Sequence, residues 1–291
     1  MTSGGSYSPG QDSTSRGSLR LLCSTGAFTR DYDRPDHTAI LEVGPQLAVD
    51  GLEVIVYAPW YPALDRVQYD LQTSGLCFPV VHAEKSIGPA FGSHSKQERR
   101  SALDKLATNC LFARAIGAEL LVLHLWGVPD GDAHIERNLA ALPACYEVAG
   151  AHGISLAIET IPCDSGTPLE RMRQAIATED RTLVALDTEF LAYHNQLDEA
   201  VDADWLWDRV RHTHLKDYDG MLWSREEGRR YLHPGQGRID FPKVFRKLRH
   251  WEFSETMSLE ASGMNREGVV DPVRVQQSLA LLRRWMEDAA S

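Results

Sequence analysis

Four short apolar runs in the second half of the chain each stop at a residue that can bind a hard divalent cation. Residues 154–158 run into Glu159, 182–186 into Asp187, 210–213 into His214 and 256–259 into Glu260. Buried parallel strands read as short apolar runs of this kind. One carboxylate at a strand end is common, because a solvated loop residue gives the same pattern. Glu, Asp, His and Glu in turn imply one site built by convergence, since fully buried carboxylates are rare unless paired or metal-bound. Three carboxylates and one imidazole form an oxygen-rich set. It suits Mn²⁺ first, with Mg²⁺ or Co²⁺ as alternatives, and not a thiolate-seeking metal.

Such a centre has an obvious chemistry. A divalent cation that chelates a carbonyl and its neighbouring hydroxyl acidifies the C–H between them and stabilises the enediolate. One carboxylate then removes the proton and a second acid returns it, to the other face or to the adjacent carbon. Lys216 lies two residues after His214, on the same face if the strand continues. Its ammonium could stabilise an enolate or protonate a leaving hydroxyl, or it could simply pair with Asp217. His82 and His124 end two other apolar runs and are candidates for hydrogen bonds to substrate hydroxyls, or for capping those strands. Trp60 and Trp126 follow strand ends and are candidates for an apolar wall against a sugar face, or for core packing. His233 sits in a long segment, 217–240, rich in side chains that could reach a ligand.

These residues need a scaffold that gathers strand ends. The chain has 291 residues, 43% hydrophobic and 24% charged, ordinary for a globular protein. Strands are expected over 19–24, 52–57, 78–82, 120–124, 154–159, 183–187, 210–214 and 257–260. Helical spacing of apolar residues fits 95–116, 135–152 and 272–287. Gly117 and Gly153 each follow a helix and precede a strand, as a helix-ending glycine does. This alternation predicts an α/β protein, a single (β/α)8 TIM barrel spanning 18–291, in which all strand C-termini meet at one face. A doubly wound open sheet is the competitor. It would show a glycine-rich phosphate loop, and the first strand is followed instead by Thr25-Gly26-Ala27-Phe28. Residues 1–17 are rich in Ser, Gly, Thr and Pro and are expected to be a disordered tail.

The net charge of -11 argues against a nucleic-acid partner. No apolar stretch approaches the roughly 18 residues that span a bilayer, so no membrane partner is expected. Five cysteines, none in a CxxC pair, read as free thiols in a reducing compartment. The N-terminus lacks the apolar core of a secretory signal. Together these point to a cytoplasmic protein with a small-molecule substrate. Oligomeric state is left open, a homo-oligomer included.

The motifs LAIET with Glu159, ALDTE with Asp187, HTHLKD with His214, HPGQGRIDF from His233 to Phe241, and SLEAS with Glu260 resemble the xylose isomerase-like TIM-barrel superfamily. That group holds sugar phosphate isomerases and epimerases and is related to the endonuclease IV family. The resemblance covers residues 19–285 and is strongest from 120 onward. It implies one catalytic divalent metal held by Glu159, Asp187, His214 and Glu260. It also implies that Glu159 and Glu260 act as acid and base on opposite faces of the substrate, as in the ketose epimerases. Three departures matter. Many members carry a histidine three residues after the aspartate, where this chain has Phe190; His194 is a distant substitute. The stretch Arg229-Arg230-Tyr231 stands where endonuclease IV members have an Asp-x-His, which argues against a three-metal site. The HLKD form at His214 resembles the dehydratase members, such as inosose and dehydroshikimate dehydratase.

The leading expectation is a metal-dependent isomerase or epimerase of a small sugar or other polyhydroxy-carbonyl compound. The runner-up is a lyase or dehydratase using the same site, with Lys216 as acid. A non-catalytic binding barrel is the third.

Overall fold

A computed structural model of the chain describes residues 18–29, 36–225, 228–265 and 268–290. The tail expected to be disordered, 1–17, lies outside them. Strands β1 (Arg20–Ser24), β2 (Gly51–Ile55), β3 (Val80–His82), β4 (Leu120–Leu123), β5 (Ser155–Glu159), β6 (Leu183–Asp187) and β7 (Val210–Leu215) follow one another along the chain. A short antiparallel pair, β8 (Trp223–Ser224) and β9 (Gly228–Arg229), precedes β10 (Thr256–Leu259). Strand β10 pairs in parallel with both β7 and β1, closing the sheet in the order β1-β10-β7-β6-β5-β4-β3-β2. This is the expected (β/α)8 barrel. Closure rules out the doubly wound sheet, which has two open edges.

The helices are α1 (Thr38–Val43), α2 (Leu64–Thr73), α3 (Ile87–Phe91), α4 (Lys96–Ala115), α5 (Ile135–Ala151) and α6 (Pro168–Thr178). They continue with α7 (Thr188–Tyr193), α8 (Leu197–Asp202), α9 (Asp204–Trp207), α10 (Phe241–His250) and α11 (Pro272–Ala290). Some of their starts are locally encoded. Ser95 accepts the N–H of Glu98 at the head of α4, and Thr167 and Asp240 do the same for α6 and α10, each followed by a proline in the first turn. Each such cap contributes about 1 kcal/mol. Leu106, Cys110 and Ala113 of α4 and Leu142, Cys145 and Ala149 of α5 face the barrel wall, fully buried.

Side chains alternate across each strand, so every second residue enters the lumen. Leu22, Val80, Leu120, Val122, Ala157 and Ala185 form a small apolar cluster separate from the main core, which fits the lumen floor. Two residues further along β5 and β6, the same alternation brings Glu159 and Asp187 inward at the C-terminal mouth. A β-bulge at Arg211 resets the pairing of β6 and β7, so that His214 stands beside Asp187 and across from Ser258. With Arg211 paired in regular register instead of bulged, β7 would turn His212 and His214 to the outer face.

The mouth is also shaped by close backbone contacts. Gly88 in α3 lies against His124, and a Cβ at Gly88 would come within 1.6 Å of the His124 carbonyl oxygen. Asn138 of α5 donates from Nδ2 to the Gly88 and Leu125 carbonyls, at 2.9 and 2.8 Å. Asp217 accepts the N–H groups of Gly235, Gly237 and Ile239, winding the long segment after β7 around its carboxylate. Gly237 is required there, because a Cβ would sit 2.4 Å from Asp217 Oδ1.

Candidate metal centre and active site

Glu159 ends β5, Asp187 ends β6, His214 lies near the end of β7 and Glu260 follows β10. One ligand atom from each falls within 4.8 Å of the others, and all four residues are buried. His214 Nδ1 is the hub. It lies 2.7 Å from Glu159 Oε1, 3.7 Å from Glu260 Oε2 and 3.9 Å from Asp187 Oδ2. Asp187 divides its oxygens. Oδ1 accepts the N–H of Phe190 at 3.0 Å and caps α7, which leaves Oδ2 facing the cluster.

Lys216 enters the same cluster. Its Nζ lies 2.6 Å from Glu260 Oε2 and 2.6 Å from Asp187 Oδ2. The contact with Glu260 is a hydrogen bond. The contact with Asp187 is an ion pair outside hydrogen-bonding angles, and Oδ2 makes no hydrogen bond among the described residues. The sequence alternative of a Lys216–Asp217 pair does not form, because Asp217 is committed to the backbone of the following loop. Glu189 lies 3.8 Å from Lys216 and is bound by Arg229 at the edge of the β8–β9 pair, so this hairpin is tied to the mouth. The Lys216 ammonium also sits 4.5 Å above the ring of Phe190.

His82 and His124 converge on the other oxygen of Glu159. Their Nε2 atoms lie 3.1 and 2.7 Å from Glu159 Oε2. His82 is oriented by its Nδ1–H, which donates to the Ala83 carbonyl at 2.8 Å. The two candidate substrate-binding histidines therefore reach the cluster.

The electrostatics follow from burying several charges together. Burial pushes Asp187 up to about 7, with Glu159, Glu189 and Glu260 adding to the rise and Lys216 opposing it. Burial also raises Glu159, but His214 and His124 outweigh it and hold that carboxylate well below its usual range. Burial would lower His214, yet Glu53, Glu159 and Glu260 keep it well above the ordinary imidazole value. Burial drives His124 down to about 4 against the pull of Glu159. Lys216 stays an ammonium because Asp187 and Glu260 outweigh its desolvation. Clustered buried carboxylates that push each other toward protonation are the donor set a hard cation relieves. With Asp187 Oδ2 also lacking a hydrogen bond, these residues fit a divalent ion.

Two residues not singled out in the sequence belong to this layer. Glu53, in the middle of β2, is wholly buried, with Oε1 at 2.9 Å from His214 Nε2 and Oε2 at 3.5 Å from His212 Nε2. His212 is equally buried, and its Nδ1 lies 2.7 Å from the Thr256 hydroxyl. The signal was a charged residue inside the apolar run Gly51-Leu52-Glu53-Val54-Ile55, a position where a carboxylate must have a partner.

The remaining candidates stand apart from the cluster. Trp126 is fully buried and donates from Nε1 to the Pro162 carbonyl at 3.0 Å. Trp60 is buried in the main core against Tyr57 and His37. His233 commits both ring nitrogens, to Ser278 Oγ and to the Ser262 carbonyl, and ties its loop to α11. His194 accepts the N–H of Cys163 and does not take the place that Phe190 leaves.

The sequence profile of the xylose isomerase-like TIM barrel family matches residues 43–285. The chain belongs to that family. No curated protein matches the sequence. Among solved structures, a D-tagatose 3-epimerase-like protein is similar at 17% identity and a TM-score of 0.72, with 94% of this chain and 100% of that one covered. D-psicose 3-epimerase from Clostridium cellulolyticum H10, solved with D-tagatose, is similar at 14% identity and 0.70, covering 92% and 99%. The 3-keto-D-glucoside 4-epimerase of E. coli is similar at 16% identity and 0.67, covering 91% and 99%. Family membership agrees with the motifs from LAIET to SLEAS, and at these identities the solved structures speak for the fold.

Proposed function

We propose that this chain is a divalent-metal-dependent isomerase or epimerase of a small sugar or related polyhydroxy-carbonyl compound. The observation that carries the reading is the convergence of Glu159, Asp187, His214 and Glu260 within 4.8 Å at the barrel mouth. Those four residues would hold the ion, Mn²⁺ first. When bound, a divalent ion supplies Lewis-acid polarisation of a carbonyl and its neighbouring hydroxyl, which acidifies the C–H between them. That the similar folds include sugar epimerases supports the substrate class.

The protein's own groups divide the proton work. Glu260 Oε2, 2.6 Å from the Lys216 ammonium, is assigned as the base that takes the proton. Glu159 is assigned as the partner that returns it. Its Oε2, flanked by the Nε2 atoms of His82 and His124, has a route for proton exchange with the mouth. His82 and His124 are also assigned to substrate hydroxyls. Trp60, Trp126 and His233 shape the walls from behind.

One observation favours a second reading, a lyase or dehydratase. The Lys216 ammonium lies in the cluster itself, 2.6 Å from Glu260, where it can donate a proton to a departing β-hydroxyl. The two readings part in one assay. Keto-sugars and cyclitols are incubated with Mn²⁺ in D₂O. Epimerisation exchanges the C–H next to the carbonyl with no loss of water, while elimination yields a conjugated, absorbing product. Glu260→Gln should cut either rate by roughly 10²- to 10⁴-fold and leave the fold intact. A variant with near-normal turnover removes Glu260 from the mechanism. A barrel that exchanges no proton of any compound despite binding Mn²⁺ would be a binding module.

A further inference from the structure

Beneath His214 lies a carboxylate that takes no part in the proposed proton transfers. Glu53 projects from the middle of β2 across the lumen to β7, bringing together residues 161 positions apart. We propose that Glu53 is a positioning residue that sets the metal affinity of the site through His214. The inference rests on the reading of the cluster as a divalent-metal centre.

A neutral imidazole carries one N–H and one lone pair. Two carboxylates compete for that N–H: Glu159 Oε1 at 2.7 Å from Nδ1, and Glu53 Oε1 at 2.9 Å from Nε2. If the proton sits on Nδ1, the ring turns an N–H toward the cluster and cannot ligate. If it sits on Nε2 and is donated to Glu53, the Nδ1 lone pair faces Glu159, Asp187 and Glu260 together. Glu53 therefore selects the tautomer and holds the ring in the plane that the ligand set needs, as carboxylate partners of metal-bound histidines do. On its other side, Glu53 Oε2 lies 3.5 Å from His212 Nε2, and neither atom makes a hydrogen bond among the described residues. His212 is itself anchored through Nδ1 to Thr256, whose hydroxyl donates to the Arg211 carbonyl. Glu53, His212 and His214 have no access to solvent, so the Nε2–H of His214 has Glu53 Oε1 as its acceptor. A group that only stabilised the barrel would need no contact with the ligand atom's ring.

The test is a calorimetric titration of MnCl₂ into EDTA-treated wild type, Glu53→Gln and Glu53→Leu, below the unfolding temperature of each. Melting of the metal-free proteins is followed separately by circular dichroism. Glu53→Leu should weaken Mn²⁺ binding roughly 10- to 100-fold. Glu53→Gln should sit at the low end of that range, about tenfold, because its amide oxygen still accepts the Nε2–H while the charge is lost. If Glu53→Leu does not fold, Glu53→Gln carries the test. A purely structural Glu53 would move the melting curve and leave the Mn²⁺ dissociation constant of the folded variants at the wild-type value, and that result overturns the inference. A wild type that binds no Mn²⁺ sinks the metal reading and this inference together. Variants that match a binding wild type sink the inference alone.

Discussion

His214 meets two opposed demands. Its surroundings of Glu53, Glu159 and Glu260 favour a charged ring, whereas a metal ligand must be neutral with Nδ1 unprotonated. Asp187 has the matching problem, since burial lifts it to about 7 while a ligand must be ionised. Both groups have raised proton affinity, so the sign is the same for each: acidification fills the proton sites and opposes the cation. Mn²⁺ affinity should therefore fall as pH drops, the Asp187 share setting in near 7 and the His214 share already above its ordinary range, by about tenfold per pH unit for each proton displaced. Titrations at pH 8, 7 and 6 check this, and a dissociation constant flat over that range would contradict it. The four ligand candidates were readable in the sequence because each closes an apolar run. Glu53 and His212 were not, since they sit inside such runs, and only the closed barrel shows that β2 faces β7 across the lumen. Lys216 was legible by its two-residue spacing from His214. Its partners were not, because Asp217 beside it in sequence turns away to bind the HPGQG loop.

Among the elements, the helix–strand contacts around β4 place His124. Gly88 packs against the His124 carbonyl so closely that any side chain must displace one or the other. Gly88→Ala should cost about 1–3 kcal/mol, as overpacking of a tight core does. It should also lower turnover by moving His124 away from Glu159 Oε2, now 2.7 Å from its ring. Urea unfolding together with steady-state rates measures both, and an alanine variant of wild-type stability would show that α3 yields without strain. The strands were legible to within a residue or two, because buried β runs and their terminal ligands share one pattern. The short helices α7, α8 and α9 and the β8–β9 pair were not. The N-cap of α7 is Asp187 itself, a residue read only as a ligand, and the hairpin is held by Arg229 to Glu189, a pairing with no local signal.

In the whole molecule, the barrel does two things for the site. It brings strand ends that are far apart in sequence to one mouth, and it seals them from water, which strengthens every charge interaction there. No helix among the described residues is long and apolar enough to cross a membrane. The proposed function requires that Glu159, Asp187, His214 and Glu260 form one divalent-metal site. Titration of the EDTA-treated protein with Mn²⁺, read by calorimetry for stoichiometry, tests it most directly. One ion per chain should bind, and Asp187→Asn should weaken that binding by at least roughly 10-fold, in line with the loss of a ligand charge. No stoichiometric binding, or an Asp187→Asn variant that binds as wild type does, would contradict it.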